Sequence, residues 1–263
     1  MLVIIIFWAR GGKTDVLQFT GRYDKRGRMS IKIGKQIPGS CPAVAAAVSD
    51  SDIRLLRQSD IKVIDIIELR VDMFSSLSED YVKSVFLQVK KRFSKPVLCT
   101  IRLTSEGGKR FIEDRKRYAL FEAVAPLADM IDIEIQSKLL KDVVRLAHIL
   151  KKPVIASYHD LKKTPKEVFF SKMLTQAHKV SADITKLACK ADTMDDVARL
   201  LRFTMDHKKD NLITISLGKP GRISRIVNPL FGSLITYGYI GKPKADGQMH
   251  VQQLAQLLKL YLP

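Results

Sequence analysis

A lysine and a histidine stand near the ends of two short apolar runs, and the pair could carry amine and proton-transfer chemistry. The lysine is Lys186, in Ser181-Ala182-Asp183-Ile184-Thr185-Lys186-Leu187-Ala188-Cys189. The run reads as a buried strand, where an ammonium is expensive to desolvate. Burial favours the neutral amine, and a neutral amine can attack a ketone to form a Schiff base. The histidine is His159, in Pro153-Val154-Ile155-Ala156-Ser157-Tyr158-His159-Asp160. Histidine is the usual proton carrier near neutral pH. Taken singly, a strand-end lysine more often snorkels to solvent and a histidine more often satisfies a local hydrogen bond. The pair gains meaning from the charged groups at the ends of other apolar runs.

Those groups form a coherent set. Glu68, Arg70 and Asp72 alternate in Glu68-Leu69-Arg70-Val71-Asp72, so they are expected on one face with mutual pairing. Arg102 ends Thr100-Ile101-Arg102 and is followed by Glu106 in Ser105-Glu106-Gly107-Gly108. Asp132 and Glu134 lie on a further run, where an internal salt-bridge network would explain them without any ligand. Arg225 follows Gly218-Lys219-Pro220-Gly221, and Lys244-Ala245-Asp246-Gly247-Gln248 comes near the end. Arg102 and Arg225 are suited to bidentate hydrogen bonds with a substrate carboxylate.

An alternation of strands and helices must position these residues. Strands are predicted at Ala43–Val48, Val63–Leu69, Val97–Arg102, Met130–Ile135, Val154–His159, Asp183–Leu187, Leu212–Leu217 and Leu234–Tyr239. They are short and apolar throughout, as strands buried on both faces should be. Helices are predicted near Ser51–Gln58, Ser78–Phe93, Lys109–Leu127, Lys138–Leu150, Pro165–Val180, Thr193–Asp206, Ile223–Pro229 and Gln248–Leu260, with Ser78 and Thr164 as caps. This order predicts an α/β fold, a (β/α)8 TIM barrel, with catalytic groups at the C-terminal strand ends. An open doubly wound sheet would carry a glycine-rich turn after its first strand. Here Ser49-Asp50-Ser51-Asp52 stands in that place. Ile31-Lys32-Ile33 and Lys35-Gln36-Ile37 flank Gly34 and predict a small N-terminal hairpin.

The chain has 263 residues, 46% of them hydrophobic, and fits one large domain. Its cysteines, Cys41, Cys99 and Cys189, are scattered and suggest neither a disulfide framework nor a zinc site. That pattern favours a reducing, cytoplasmic compartment. The formal charge of +18 is spread over short pairs such as Lys151-Lys152 and Lys208-Lys209. Without a zinc-finger spacing or an RNP aromatic motif, an anionic small molecule is a better partner for it than nucleic acid. No apolar run is long enough to span a bilayer. Residues 1–29 place their apolar stretch before their basic one, the reverse of a secretory signal. They are read as a non-core extension, or as following an upstream start, with residues 30–263 as one catalytic domain.

The segments Glu68-Leu69-Arg70-Val71-Asp72, Thr100-Ile101-Arg102 with Glu106-Gly107-Gly108, Ser157-Tyr158-His159-Asp160, Asp183-Ile184-Thr185-Lys186 and Ile223-Ser224-Arg225 resemble type I 3-dehydroquinate dehydratase in order and spacing. The resemblance runs from about residue 30 to the C-terminus and includes a hairpin closing the barrel floor. It implies that Lys186 forms the Schiff base with the C3 ketone of 3-dehydroquinate. It implies that His159 is the general acid/base and Glu106 its assisting carboxylate. Arg225 is similar to the family's carboxylate-binding arginine. Glu68, Arg70 and Arg102 resemble its hydroxyl-binding and positioning groups, and Gln248 the glutamine of its closing loop. No cofactor or metal is implied. The product would be 3-dehydroshikimate, an intermediate of the shikimate pathway to aromatic amino acids, and the assembly a homodimer.

The family's closing loop usually reads Ser-Ala-Pro-Gly-Gln, so Lys244 replaces a hydroxyl and Asp246 a proline. Lys244 is expected to contact the anionic substrate in that hydroxyl's place. Leu217 stands where methionine is common. Two other readings stand beside this one. One is another class I Schiff-base lyase or aldolase. The other is a non-catalytic basic binding protein on a decayed barrel.

Overall fold

The structure is a computed structural model that describes residues 22–23, 29–30, 42–243 and 246–261. The parallel strands are β1 (Ala43–Val48), β2 (Ile66–Arg70), β3 (Val97–Thr100), β4 (Met130–Glu134), β5 (Val154–Asp160), β6 (Ile184–Lys190), β7 (Leu212–Leu217) and β8 (Ile235–Gly238). They form one eight-stranded sheet in the order β8-β1-β2-β3-β4-β5-β6-β7. The sheet curls into a nearly closed (β/α)8 barrel. The helices are α1 (Gln58–Val63), α2 (Glu79–Phe93), α3 (Asp114–Val124), α4 (Leu140–Ile149), α5 (Glu167–Lys179), α6 (Met194–Asp206), α7 (Ser224–Leu230) and α8 (Val251–Tyr261).

Strand alternation divides the core into two layers. Residues facing helices, such as Ile67, Leu69, Ile131 and Ile133, pack against the apolar stripes of the helices. The stripe of α2 is Val82, Val85, Phe86 and Val89, at the spacing of one helix face. Phe86, Phe121, Phe170 and Phe203 are completely buried in this layer. Each contributes about 1.5–3 kcal/mol by leaving water. Inside the barrel, Ala43, Ile66, Leu98, Met130, Ile155, Ile184 and Ile213 fill the end where the strands begin. The opposite half of the interior is charged.

The ends of the curled sheet meet at β7 and β8. At the foot, Leu234 N donates to Leu212 O (2.8 Å) and Thr214 N to Ser233 Oγ (3.0 Å). Higher up, the first residues of α7 bridge the strands. Ser216 N donates to Ser224 Oγ (2.9 Å), Thr236 Oγ1 to Arg225 O (2.8 Å), and Arg225 Nη1 to Tyr237 O (3.1 Å). Arg225 is thus built into the seam of the barrel.

Local boundaries differ from expectation where polar side chains intervene. The helix expected at Ser51–Gln58 is a 3-10 turn, Ser51–Leu55, followed by α1. Asp50 and Asp52 hold the turn through Ser51 N and Ser49 N, Leu56 is extended, and Asp60 then caps α1 through Arg57 N (3.1 Å). The strand expected from Val63 therefore starts at Ile66. Ser78 does cap α2 through Tyr81 N. Thr164 caps nothing, because its hydroxyl donates to Lys190 O at the end of β6 (2.7 Å), and α5 starts at Glu167. The hairpin expected at residues 31–37 lies outside the described residues. The small ladder that is described pairs Arg22 with Ser30 and Tyr23 with Met29. Among the described residues, no helix is long and apolar enough to cross a membrane.

Candidate active site

The charged half of the interior lies at the C-terminal ends of the strands. Lys186 is buried on β6, beside Ser157 of β5 in the ladder. Its Nζ is 3.3 Å from Asp132 Oδ2 on β4. A carboxylate thus accompanies the buried amine. It also lies against the ring of Tyr237 on β8, with Nζ 4.3 Å from the ring centroid.

Asp132 belongs to a buried network. Its Oδ1 accepts from Arg102 Nη2 (2.9 Å) and Ser157 Oγ (2.6 Å). Arg102 Nη1 also donates to Glu134 Oε1 (3.0 Å) and Ser157 Oγ (2.7 Å). Arg117 of α3 bonds the second oxygen of Glu134 from behind the wall and donates to Ile101 O (2.7 Å). Burial alone would raise the Asp132 carboxyl. Arg102, Lys186 and the Ser157 hydroxyl outweigh it and hold the group below the usual carboxylate range. For Arg102, burial opposes charge, but Asp132 and Glu134 more than restore it and raise the guanidinium above its ordinary value.

His159 sits two residues beyond Ser157 on β5, at the mouth. Glu106, in a 3-10 turn after β3, is buried against it. Glu106 Oε2 accepts from His159 N (2.8 Å) and lies 3.0 Å from His159 Nδ1. That contact leaves Nε2 as the ring nitrogen available to a ligand. Burial, reinforced by Arg102, Lys186 and Arg70, holds the imidazole well below its ordinary value. Burial, with Glu134 and Asp132 adding to it against Arg102, pushes Glu106 up to about 8. At neutral pH the two groups share one proton, which belongs to the pair.

The expected triplet at the end of β2 pairs only in part. Arg70 makes a two-bond contact to Asp72, with Nε–Oδ1 and Nη2–Oδ2 both 2.9 Å. Asp72 reaches back because the chain turns at Val71–Met73. Glu68 instead accepts from Thr100 Oγ1 (2.7 Å). Arg102 N turns toward Asp72 (3.3 Å), which is why β3 ends at Thr100.

Arg225 contrasts with every other buried cation here. Its Nε donates to Gly247 O (2.9 Å), and no carboxylate lies within ion-pair distance among the described residues. Burial without a counterion pulls its guanidinium down to about 10, still charged at neutral pH. Gly247 has a φ of +78°, and a Cβ there would collide with the Gly218 carbonyl. The loop after β8 therefore lies directly on the loop after β7, with Gln248 half-buried beside it. Lys244 and Ala245 are outside the described residues.

Sequence reasoning missed Arg117 and Tyr237. Arg117 shares a helix face with Leu120, Phe121 and Val124, so a charge on an apolar stripe was the available signal. Tyr237 follows Ile235 on the inward face of β8, where alternation alone could have placed it. Among the described residues, no group of three His, Cys, Asp or Glu side chains could hold a metal ion.

The family model described as type I 3-dehydroquinase matches residues 41–262. The chain is 35% identical over 219 residues to 3-dehydroquinate dehydratase of Thermodesulfovibrio yellowstonii, covering 83% of this chain and 95% of the relative. The crystal structure of 3-dehydroquinate dehydratase from Aquifex aeolicus superposes with a TM-score of 0.76 at 34% identity, covering 83% of this chain and 98% of that one. Type I 3-dehydroquinate dehydratase from Clostridium difficile, solved with covalently modified comenic acid, gives a TM-score of 0.80 at 28% identity, covering 89% and 97%. By sequence and by fold alike, this chain belongs to the type I 3-dehydroquinase family.

Proposed function

We propose that this chain performs the family's hydro-lyase reaction, 3-dehydroquinate to 3-dehydroshikimate plus water, through a Schiff base on Lys186. The observation that carries the reading is the enclosure of the Lys186 amine in a charged pocket, with a proton-sharing His159–Glu106 pair at its rim. The covalent modification in the Clostridium difficile relative accords with it.

In this reading the substrate carboxylate binds Arg225, the buried guanidinium with no carboxylate in ion-pair distance among the described residues. The Lys186 amine bonds to the C3 ketone carbon, and the ketone oxygen leaves as water. The imine acidifies the C2 proton, which His159 takes up, because the electron pair left behind is held as an enamine. The C1 hydroxyl then departs with a proton delivered by His159, and hydrolysis of the imine frees the product. Glu106 orients His159 through Nδ1, so that Nε2 faces the substrate. Glu68 and Arg70 serve the ring hydroxyls, Arg102 positions Asp132, and Gln248 and Lys244 close over the ligand.

We also infer a cytoplasmic homodimer, with residues 30–263 as the catalytic domain and residues 1–29 dispensable for turnover. Growth of enone absorbance from 3-dehydroquinate, unchanged by EDTA, is the expected activity. Borohydride added with the substrate should leave a stable adduct on Lys186. Peptide mapping that finds the adduct elsewhere, or none at saturating ligand, overturns the Schiff-base assignment.

A further inference from the structure

The inference rests on the reading of Lys186 as the imine-forming residue and concerns what holds that imine. The protein offers Lys186 Nζ one hydrogen-bond acceptor among the described residues, Asp132 Oδ2 at 3.3 Å, and one aromatic face, Tyr237, at 4.3 Å. An ammonium carries three N–H donors, and this surrounding does not match them. An iminium nitrogen carries one N–H and a flat cationic surface. One carboxylate oxygen can take the first and one π-face the second. The pocket thus fits the covalent intermediate better than the resting side chain, which is the condition for lowering a barrier.

We propose that Tyr237 is a catalytic residue whose ring face stabilises the protonated imine on Lys186. In the step it assists, the neutral amine nitrogen bonds to the ketone carbon. The oxygen leaves as water, with one proton from the amine and one from the acid at the rim. One N–H and the positive charge stay on nitrogen. A second carboxylate in the place of the ring would accept a proton from the nitrogen and compete with the ketone for it. An aromatic face attracts the cation without offering a basic site. The ring is fixed for this task. Tyr237 pairs with Ala45 in the ladder, its carbonyl accepts from Arg225, and its ring packs in the cluster of Ile213 and Ile215.

The phenol hydroxyl is buried and bonded to no protein atom among the described residues. Tyr237→Phe therefore keeps the ring and breaks no protein hydrogen bond, while Tyr237→Leu removes the π-face. Full-length variants are incubated with saturating 3-dehydroquinate and borohydride, and the modified fraction of Lys186 is read by peptide mass. Tyr237→Phe should trap about tenfold more than Tyr237→Leu. In addition, kcat should fall further than KM rises in the leucine variant. Phenylalanines with progressively more ring fluorines at position 237 keep the shape and drain the π-face. They decide the matter even if the leucine variant does not fold, and trapping should decline with each fluorine added. Equal trapping by the phenylalanine and leucine variants, or across the fluorine series, overturns the proposal. Failure of the unsubstituted chain to trap at all overturns the Lys186 reading, and this proposal with it.

Discussion

Arg102 and Arg225 are both buried at the mouth of one barrel, yet their surroundings are opposite. Arg102, between β3 and β4, is enclosed by Asp132, Glu134 and Ser157. Arg225, in the seam between β7 and β8, donates among the described residues only to the carbonyls of Gly247 and Tyr237. The first guanidinium is neutralised within the protein and works as a strut. The second keeps an unbalanced charge in a low-dielectric place, where a bound carboxylate would gain most. The same residue type, equally buried, does two jobs because its carboxylate neighbours differ.

The largest effect that tests this contrast is on folding. Arg102→Gln leaves Asp132 and Glu134 buried with less compensation and should destabilise by about 3–5 kcal/mol. Calorimetry should show a fall in Tm of about 10 °C. A similar fall for Arg225→Gln would break the contrast, because relief of an uncompensated buried charge there should offset much of the loss of its two carbonyl bonds.

The next effect is on substrate. Losing one charged hydrogen-bonded contact removes about 1.5–3 kcal/mol, so Arg225→Gln should raise KM about 10- to 100-fold and lower kcat much less. Steady-state kinetics with an unchanged KM would place the carboxylate elsewhere.

A smaller effect concerns the proton held beside the Arg102 network. An ordinary glutamate titrates near 4.5 and an ordinary histidine near 6.5, whereas folded Glu106 keeps its proton to about 8. Folded His159 is neutral just below pH 6.5. There the folded and unfolded pairs hold one proton each, and stability does not change with pH through them. Between 6.5 and 8 the folded pair holds a proton that the unfolded pair has lost. Stability should then fall by about 2 kcal/mol across that interval as pH rises. Thermal melts of Glu106→Gln should lack this decline, and a decline as steep in the variant would assign the proton to other groups.

Smallest is the contribution of the closing loop. Lys244→Ala should raise KM by about 1–2 kcal/mol worth of binding, and less at high ionic strength. An unchanged KM at low salt would leave Arg225 as the main cation on that side.

The barrel was legible because its strands are buried on both faces and read as apolar runs at regular intervals. Lys186 and His159 were legible because a polar group ending such a run is costly to bury unless it has a partner or a task at the mouth. Their partners were harder to read. Glu106 and His159 are 53 residues apart in sequence, and only the curl of the sheet brings them together. The isolation of Arg225 is a relation among many residues that no local pattern records. The missed α1 shows a different limit. Asp50, Asp52 and Asp60 each cap locally, and their competition breaks one expected helix into a turn and a shorter helix.

The side-chain bridges at the β7–β8 seam also bear on motion. An amide held by a serine hydroxyl, as Ser216 N is by Ser224 Oγ, can be released by a rotamer change without separating two strands. Hydrogen exchange should therefore enter the barrel wall here first. Arg225, on the helix that follows β7, bonds to β8 across the same seam, so an anion settling on its guanidinium would tighten the closure and slow exchange at amides it never touches. Ligand occupancy could then be followed from the backbone amides of this seam.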